Sequence, residues 1–127
     1  MADHDDNRLH TLRAIAAGFD THDLDRIMPH FVDDCVFEAP HGSDAIGRRF
    51  KGRAAVRAAF AERFAGIPDV RYTDDSHFVA GDRGVSEWLL SGTTVDGERI
   101  EVRGCDIWTF RGDKIAVKNS FWKIRTP

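Results

Sequence analysis

A chain of 127 residues, 42% hydrophobic and 31% charged, has the size and composition of one domain, 1–127, that buries roughly two-thirds of its unfolded surface. Its net charge of −3 and the lack of a basic amphipathic helix argue against nucleic acid and membrane surfaces as partners. No run approaches the ~20 apolar residues of a membrane span, and MADHDDNRLH lacks the apolar core of a signal peptide, so a cytoplasmic location is expected.

Residues 1–6 are polar and are expected to fray. From Asn7 to Phe19, Leu9, Leu12, Ala16 and Phe19 recur at helical spacing and predict an amphipathic helix. Asp20-Thr21 then interrupts it and offers a cap for a shorter helix through Leu24, Ile27 and Met28, which Pro29 must end or kink. Cys35 to Ala39 reads as a short strand stopped by Pro40, and the Gly-rich HGSDAIGRRFKG as a loop. Gly52 opens a third helix, with Ala55, Val56, Ala59, Phe60 and Phe64 as its apolar stripe.

Everything afterwards is β. Val70 to Ala80, Val85 to Thr93, Ile100 to Phe110 and Ile115 to Ile124 are strand candidates joined by GDR, VDGE and RGDK turns. Helices first and an antiparallel meander second predict an α+β fold, with helices on one face of a curved sheet. Cys35 and Cys105 fall inside strands without metal-ligand or C-x-x-C spacing; they read as buried hydrophobes in a reducing compartment, with one disulfide as the alternative.

One residue stands out. Asp106 lies in the middle of a strand rich in β-branched and aromatic residues, where a carboxylate is costly unless paired, hydrogen-bonded or protonated. Its neighbours follow from strand parity. If Asp96-Gly97 forms a two-residue hairpin turn, Val95 pairs with Glu98, Leu89 with Gly104, and Glu87 with Asp106. One face then carries Glu87, Leu89, Ser91, Val102, Gly104, Asp106 and Trp108; the other carries Trp88, Leu90, Arg103, Cys105 and Ile107. The last hairpin allows two registers. A two-residue Gly112-Asp113 turn sets Asn119 opposite Asp106, which the hydrophobic pattern favours. A three-residue loop sets Lys118 there, with Ser120 and Trp122 also facing in.

The phrases HDLDRIMPHFVDDCVFEAP, GRRFKGRAAVRAAF, GDRGVSEWLLSGT and RGCDIWTFRGDKIAVKNSFW come in an order that resembles the nuclear-transport-factor-2-like superfamily, in its SnoaL-like and ketosteroid-isomerase-like branch. The resemblance spans residues ~7 to 124. It implies a cone: a bent antiparallel sheet wrapped around the helices, one deep apolar pocket, and a homodimer through the outer sheet face. It also favours the Lys118 register, and it points the face of Asp106 and Glu87 at the pocket and the Trp88 face at the dimer partner. In ketosteroid isomerases an acid at the position of Asp106 donates to the substrate oxyanion, kept neutral by its apolar site. The family base before the strand-ending proline is replaced here by Ala39, and the helix-one tyrosine by Ile15, so steroid isomerisation by that route is not expected. Limonene-type epoxide hydrolysis is not expected either, because Glu87, Leu89 and Ser120 stand where that chemistry needs an Arg and two Asp.

Two carboxylates side by side would not both ionise, which makes Asp106 the expected proton donor or base and Glu87 the group that tunes it. The alternative is that Lys118 neutralises one of them and the pair only holds the sheet. Phe37, His41, Phe60, Trp108, Lys118 and Trp122 are the expected ligand contacts. A Gly81-Asp82 turn places Ser76 opposite Glu87 and turns His77 outward; one extra loop residue reverses that. No His/Asp/Glu set has metal spacing, and no cofactor is expected. The basic segment GRRFKGR is either a solvated loop or a lid that attracts an anionic substrate. The functional expectation is a cofactor-independent acid–base enzyme of isomerase, cyclase or dehydratase type, acting on a small, hydrophobic or enolisable carbonyl compound. The alternative is a non-catalytic ligand-binding or dimerisation module on the same fold.

Overall fold

The computed structural model describes residues 4–127, in which N-terminal helices and a six-stranded sheet make an α+β fold. Of the stretch expected to fray, residues 1–3 lie outside the described residues, and helix α1 (His4–Asp20) already includes Asp5 and Asp6, whose charges suit a helix N-terminus. Leu12, Ile15 and Phe19, on one side of α1, are buried. The cap of α2 (Leu24–Ile27) is Asp23 rather than Asp20-Thr21: its carboxylate accepts the Arg26 N–H at 3.3 Å. A 3₁₀ turn over Met28–His30 accommodates Pro29 in its first turn.

Strand β1 (Phe31–Glu38) starts four residues earlier than expected and pairs parallel to the last strand, Phe31 aligning with Ile115 and Phe37 with Lys118. Part of the segment read as loop forms a short strand, β2 (Arg49–Lys51), on the outer edge of β1. Gly52, at a φ of +89° that favours glycine, caps α3 (Arg53–Gly66). Then follow β3 (Arg71–Ala80), β4 (Arg83–Thr93), β5 (Arg99–Arg111) and β6 (Lys114–Trp122). The sheet order is β2-β1-β6-β5-β4-β3. It is therefore a mixed, unclosed curved sheet rather than a purely antiparallel one.

The helices pack on the inner face around Leu12, Ile15, Phe19, Val56, Phe60, Phe31 and Trp108. Among the described residues no helix is long and apolar enough to cross a membrane, and both cysteines are free. Three local irregularities decide what else faces inward. The loop between β4 and β5 holds three residues, not two: Thr94 pairs with Glu98, and Gly97 takes a φ of +89°. This is the three-residue hairpin with a left-handed glycine. It shifts the register by one, so Ser86 meets Asp106, Glu87 meets Cys105 and Trp88 meets Gly104. The assignment of faces on β4 is thereby reversed.

The final hairpin combines parts of both expected registers. Its Gly112-Asp113 turn has two residues, but a bulge between Thr109 and Phe110 adds one on β6. Asp106 thus faces Ser120, and Lys118 faces Trp108, one step along the same face. In β3 a bulge between Thr73 and Ser76, with Asp74 at a φ of +50°, lets Tyr72 and His77 share the inner face although they are an odd five positions apart.

Candidate active site

The inner face of β4, β5 and β6 brings a carboxylate and an ammonium together. Asp106 and Lys118, 5% and 7% exposed, bond through Oδ1 and Nζ at 2.8 Å. Ser120 Oγ donates to the same oxygen at 2.5 Å and accepts from Lys118 Nζ at 2.7 Å, closing a triangle. Oδ2 accepts the Trp88 indole N–H at 2.9 Å. Three donors on one carboxylate meet the requirement that a buried charge be paired and hydrogen-bonded. Trp88 reaches Asp106 because residue 104 is glycine: a Cβ there would sit 2.5 Å from the indole and 2.6 Å from the Phe121 carbonyl oxygen.

The Lys118 ammonium is caged by rings. Its Nζ lies 4.8 Å from the centroid of Phe37, 5.3 Å from Phe19 and 5.6 Å from both Phe60 and Trp108. Burial pushes the ammonium below the ordinary lysine range; Asp106 resists that shift, and the nearby Arg63 charge adds to it.

In front of Lys118 a cavity of about 390 Å³ opens between the sheet, α3 and the β1–β2 loop. Phe37, His41, Phe60, Lys118 and Trp122 line it, joined by Tyr72, Trp88 and Ser120. Trp108 does not: it lies behind, beside a second, water-sized cavity of about 30 Å³ that Asp106 and Lys118 also border. Lys118 thus touches both spaces, whereas Asp106 borders only the rear one. Ala39 and Pro40, just past the end of β1, form part of the large cavity's wall.

Glu87 is not in this site. It is exposed on the outer face, where its Oε1 accepts from Ser76 Oγ at 3.2 Å. The register shift removes it from Asp106, and Lys118 takes the place beside the carboxylate. His77 turns inward instead, because Ser86 opposite it now faces in. Its Nδ1 contacts Ser86 Oγ at 2.7 Å and its Nε2 contacts Asp75 Oδ2 at 2.7 Å, while Ser86 Oγ also accepts the Trp108 indole N–H at 2.9 Å.

Sequence reasoning passed over Tyr72, the sole tyrosine of the chain. Its ring packs against Phe19 and Trp88 and lines the large cavity. Its hydroxyl has no protein partner among the described residues, and burial raises its pKa well above the ordinary phenol value. Its singularity was a usable signal, but the bulge that turns it inward was not legible. Among the described residues, no group of three or more His, Cys, Asp or Glu side chains is placed to hold a metal.

This geometry belongs to a recognisable family. The model of the SnoaL-like domain matches residues 12–118. No curated protein matches the chain. Among solved structures, one from Xanthomonas campestris pv. campestris, proposed to be a polyketide cyclase, superposes with a TM-score of 0.84 at 15% identity, covering 95% of this chain and 93% of that one. An NTF2-like protein of unknown function from Mesorhizobium loti gives 0.80 at 24% identity, covering 98% and 97%. A protein with a ketosteroid-isomerase-like fold from Catenulispora acidiphila, solved with trimethylamine, gives 0.77 at 21%, covering 90% and 85%. These likenesses concern the fold.

Proposed function

We infer, for a chain that belongs to the SnoaL-like domain family, a cofactor-independent acid–base enzyme of the isomerase or cyclase kind, acting on a small, partly hydrophobic carbonyl compound. The observation that carries this reading is a buried lysine at the floor of an open aromatic cavity, fixed from behind by a carboxylate. Moving a proton next to a carbonyl requires a donor at the oxygen, where charge develops. Lys118 Nζ and the unpartnered Tyr72 hydroxyl are the donors we assign to that oxygen at the floor of the cavity. The low dielectric of the aromatic wall strengthens their effect on a developing enolate. Asp106 acts through Lys118 and Ser120 as a positioning residue, rather than as the proton donor or base the sequence suggested. Lys118, held below the ordinary lysine range, gives a proton to the carbonyl oxygen as the α-proton leaves to solvent water at the open cavity, and takes it back when the enol is reprotonated at carbon. Phe37, Phe60, Trp88 and Trp122 hold the apolar part, with His41 at the rim.

A second reading rests on its own observation. Asp106 and Lys118 already satisfy each other and Ser120, as in a structural ion pair, which suits a ligand-binding module. One experiment separates the two: α-proton exchange of 2-tetralone and phenylacetone in D₂O followed by NMR, with wild type, Tyr72→Phe and the charge-free double variant Asp106→Leu/Lys118→Met. An enzyme accelerates exchange, Tyr72→Phe slows it about tenfold or more, and the folded double variant abolishes it. Phenols that bind without any exchange would support the binding module instead.

The outer face is the proposed dimer surface, now carrying Glu87 rather than Trp88. Phe78 and Phe121 are 56% and 47% exposed there. Sedimentation analysis of wild type and Phe121→Asp tests this; a monomeric wild type ends the proposal.

A further inference from the structure

The rim of the large cavity carries two guanidinium groups that the acid–base reading leaves unused. Arg48, just before β2, lies with its Cζ 4.8 Å from the Phe50 ring centroid. Arg63, on α3, lies with its Cζ 4.6 Å from that of Trp122. Both arginines and both rings line the cavity. Among the described residues, half of the arginines find carboxylates, as Arg71 finds Asp20 at 2.7 Å and Arg111 finds Asp34 at 2.6 Å, while Arg8 and Arg125 bond backbone carbonyls. Arg48 and Arg63 find none: among the described residues, neither guanidinium hydrogen-bonds or ion-pairs with a protein acceptor.

A guanidinium over an aromatic ring is steered by the ring face while its in-plane N–H fork stays uncommitted, which is the fork that matches a carboxylate. The charge balance agrees. Lys118 is matched by Asp106, so the remaining charged lining is Arg48 and Arg63 against one carboxylate, Glu62, with His41 beside Trp122 at 5.8 Å. A cationic mouth on a chain of net charge −3 is a local feature, not a reflection of overall composition. The two ends of the cavity therefore ask for different things. The floor offers donors to a carbonyl, enol or phenol oxygen, and the mouth offers unpaired cationic forks.

We propose that this cavity takes a carboxylate-bearing aromatic or unsaturated carbonyl compound, its oxygen function on Lys118 and Tyr72 and its carboxylate held by Arg63 and Arg48 at the mouth. The proposal rests on the reading of the floor given above and adds the charge of the substrate. Arg48 comes from the basic segment 47–53, so that segment supplies part of the recognition surface.

Binding of 4-hydroxybenzoate and its methyl ester, followed by tryptophan fluorescence, tests it because the two probes share the phenol and differ in charge. The acid is expected to bind about tenfold tighter than the ester, with a preference that shrinks as salt is raised. Arg63→Met should reduce acid affinity about tenfold and leave the ester within about twofold, with a smaller loss in Arg48→Met. Glu62→Gln should tighten acid binding. Equal affinity for acid and ester, or acid affinity unchanged in both arginine variants, overturns the anionic substrate while leaving the acid–base reading intact. If neither probe binds folded wild-type protein at millimolar concentration, both fall.

Discussion

Two carboxylates one step apart across the β4–β5 ladder have opposite fates. Asp106 is buried on the inner face with three donors, one of them an ammonium. Glu87, beside Cys105 on the outer face, keeps a single bond to a serine hydroxyl and is exposed. The residue types are nearly interchangeable, so the difference lies in what surrounds them. A buried charge binds its neighbours into one unit, because removing any partner leaves the others desolvated and unpaired. An exposed one exchanges its partner for water at little cost.

The sharpest way to break that contrast is Lys118→Met, which strands the Asp106 carboxylate in the core. Denaturant unfolding is expected to register a loss of about 3–5 kcal/mol, and Asp106→Leu added to it should recover most of that. A loss under about 1 kcal/mol would mean that the interior is wet. The same variant sharpens the contrast with pH. The folded protein holds the Lys118 pKa below the unfolded value near 10.5, so within that window the unfolded chain binds more protons and stability rises with pH. Tyr72 works the other way above pH 10, since the unfolded phenol ionises first. Wild type should therefore gain stability relative to Lys118→Met as pH rises toward the unfolded value; an unchanging gap would refute the assignment.

Smaller effects are expected from the groups that support the buried carboxylate. Gly104→Ala pushes a methyl into the Trp88 indole and should cost about 1–3 kcal/mol, with a changed near-ultraviolet dichroism from the displaced ring. Ser86→Ala leaves the Trp108 N–H and His77 without their shared hydroxyl, a loss of about 1–2 kcal/mol in thermal or chemical unfolding. Glu87→Gln should stay within about 0.5 kcal/mol, and a larger change would show that the outer carboxylate is engaged, for instance at a subunit interface.

The order of elements was legible because helical and strand periodicities are local. So was the special status of Asp106, a charge in an apolar strand. The inward direction of Lys118, Ser120 and Trp122 was also legible through the family resemblance. What was not legible is the phase between strands. Asp96-Gly97 looks like a two-residue turn, but Gly97 takes up its left-handed φ as the last of three loop residues, and both forms use the same dipeptide. The bulge that turns Tyr72 inward is held by Arg103, which reaches Asp74 Oδ2 at 2.9 Å from 29 residues away. No local pattern encodes that contact. The assignment of Glu87 to the pocket and of Trp88 to the outside failed for this reason.

The loop Val95 to Gly97 also sets how this fold can change over generations. It is exposed, and substitutions of Val95 or Asp96 alter little, although Gly97 must keep its left-handed φ; its length is another matter. Losing one residue there would press β4 toward the two-residue turn and exchange its two faces along eleven residues at once, offering Glu87, Leu89 and Ser91 to the interior in place of Ser86, Trp88 and Leu90. A one-codon deletion in a solvent-exposed turn is thus a change of pocket chemistry, whereas a point mutation at Val95 or Asp96 is close to silent.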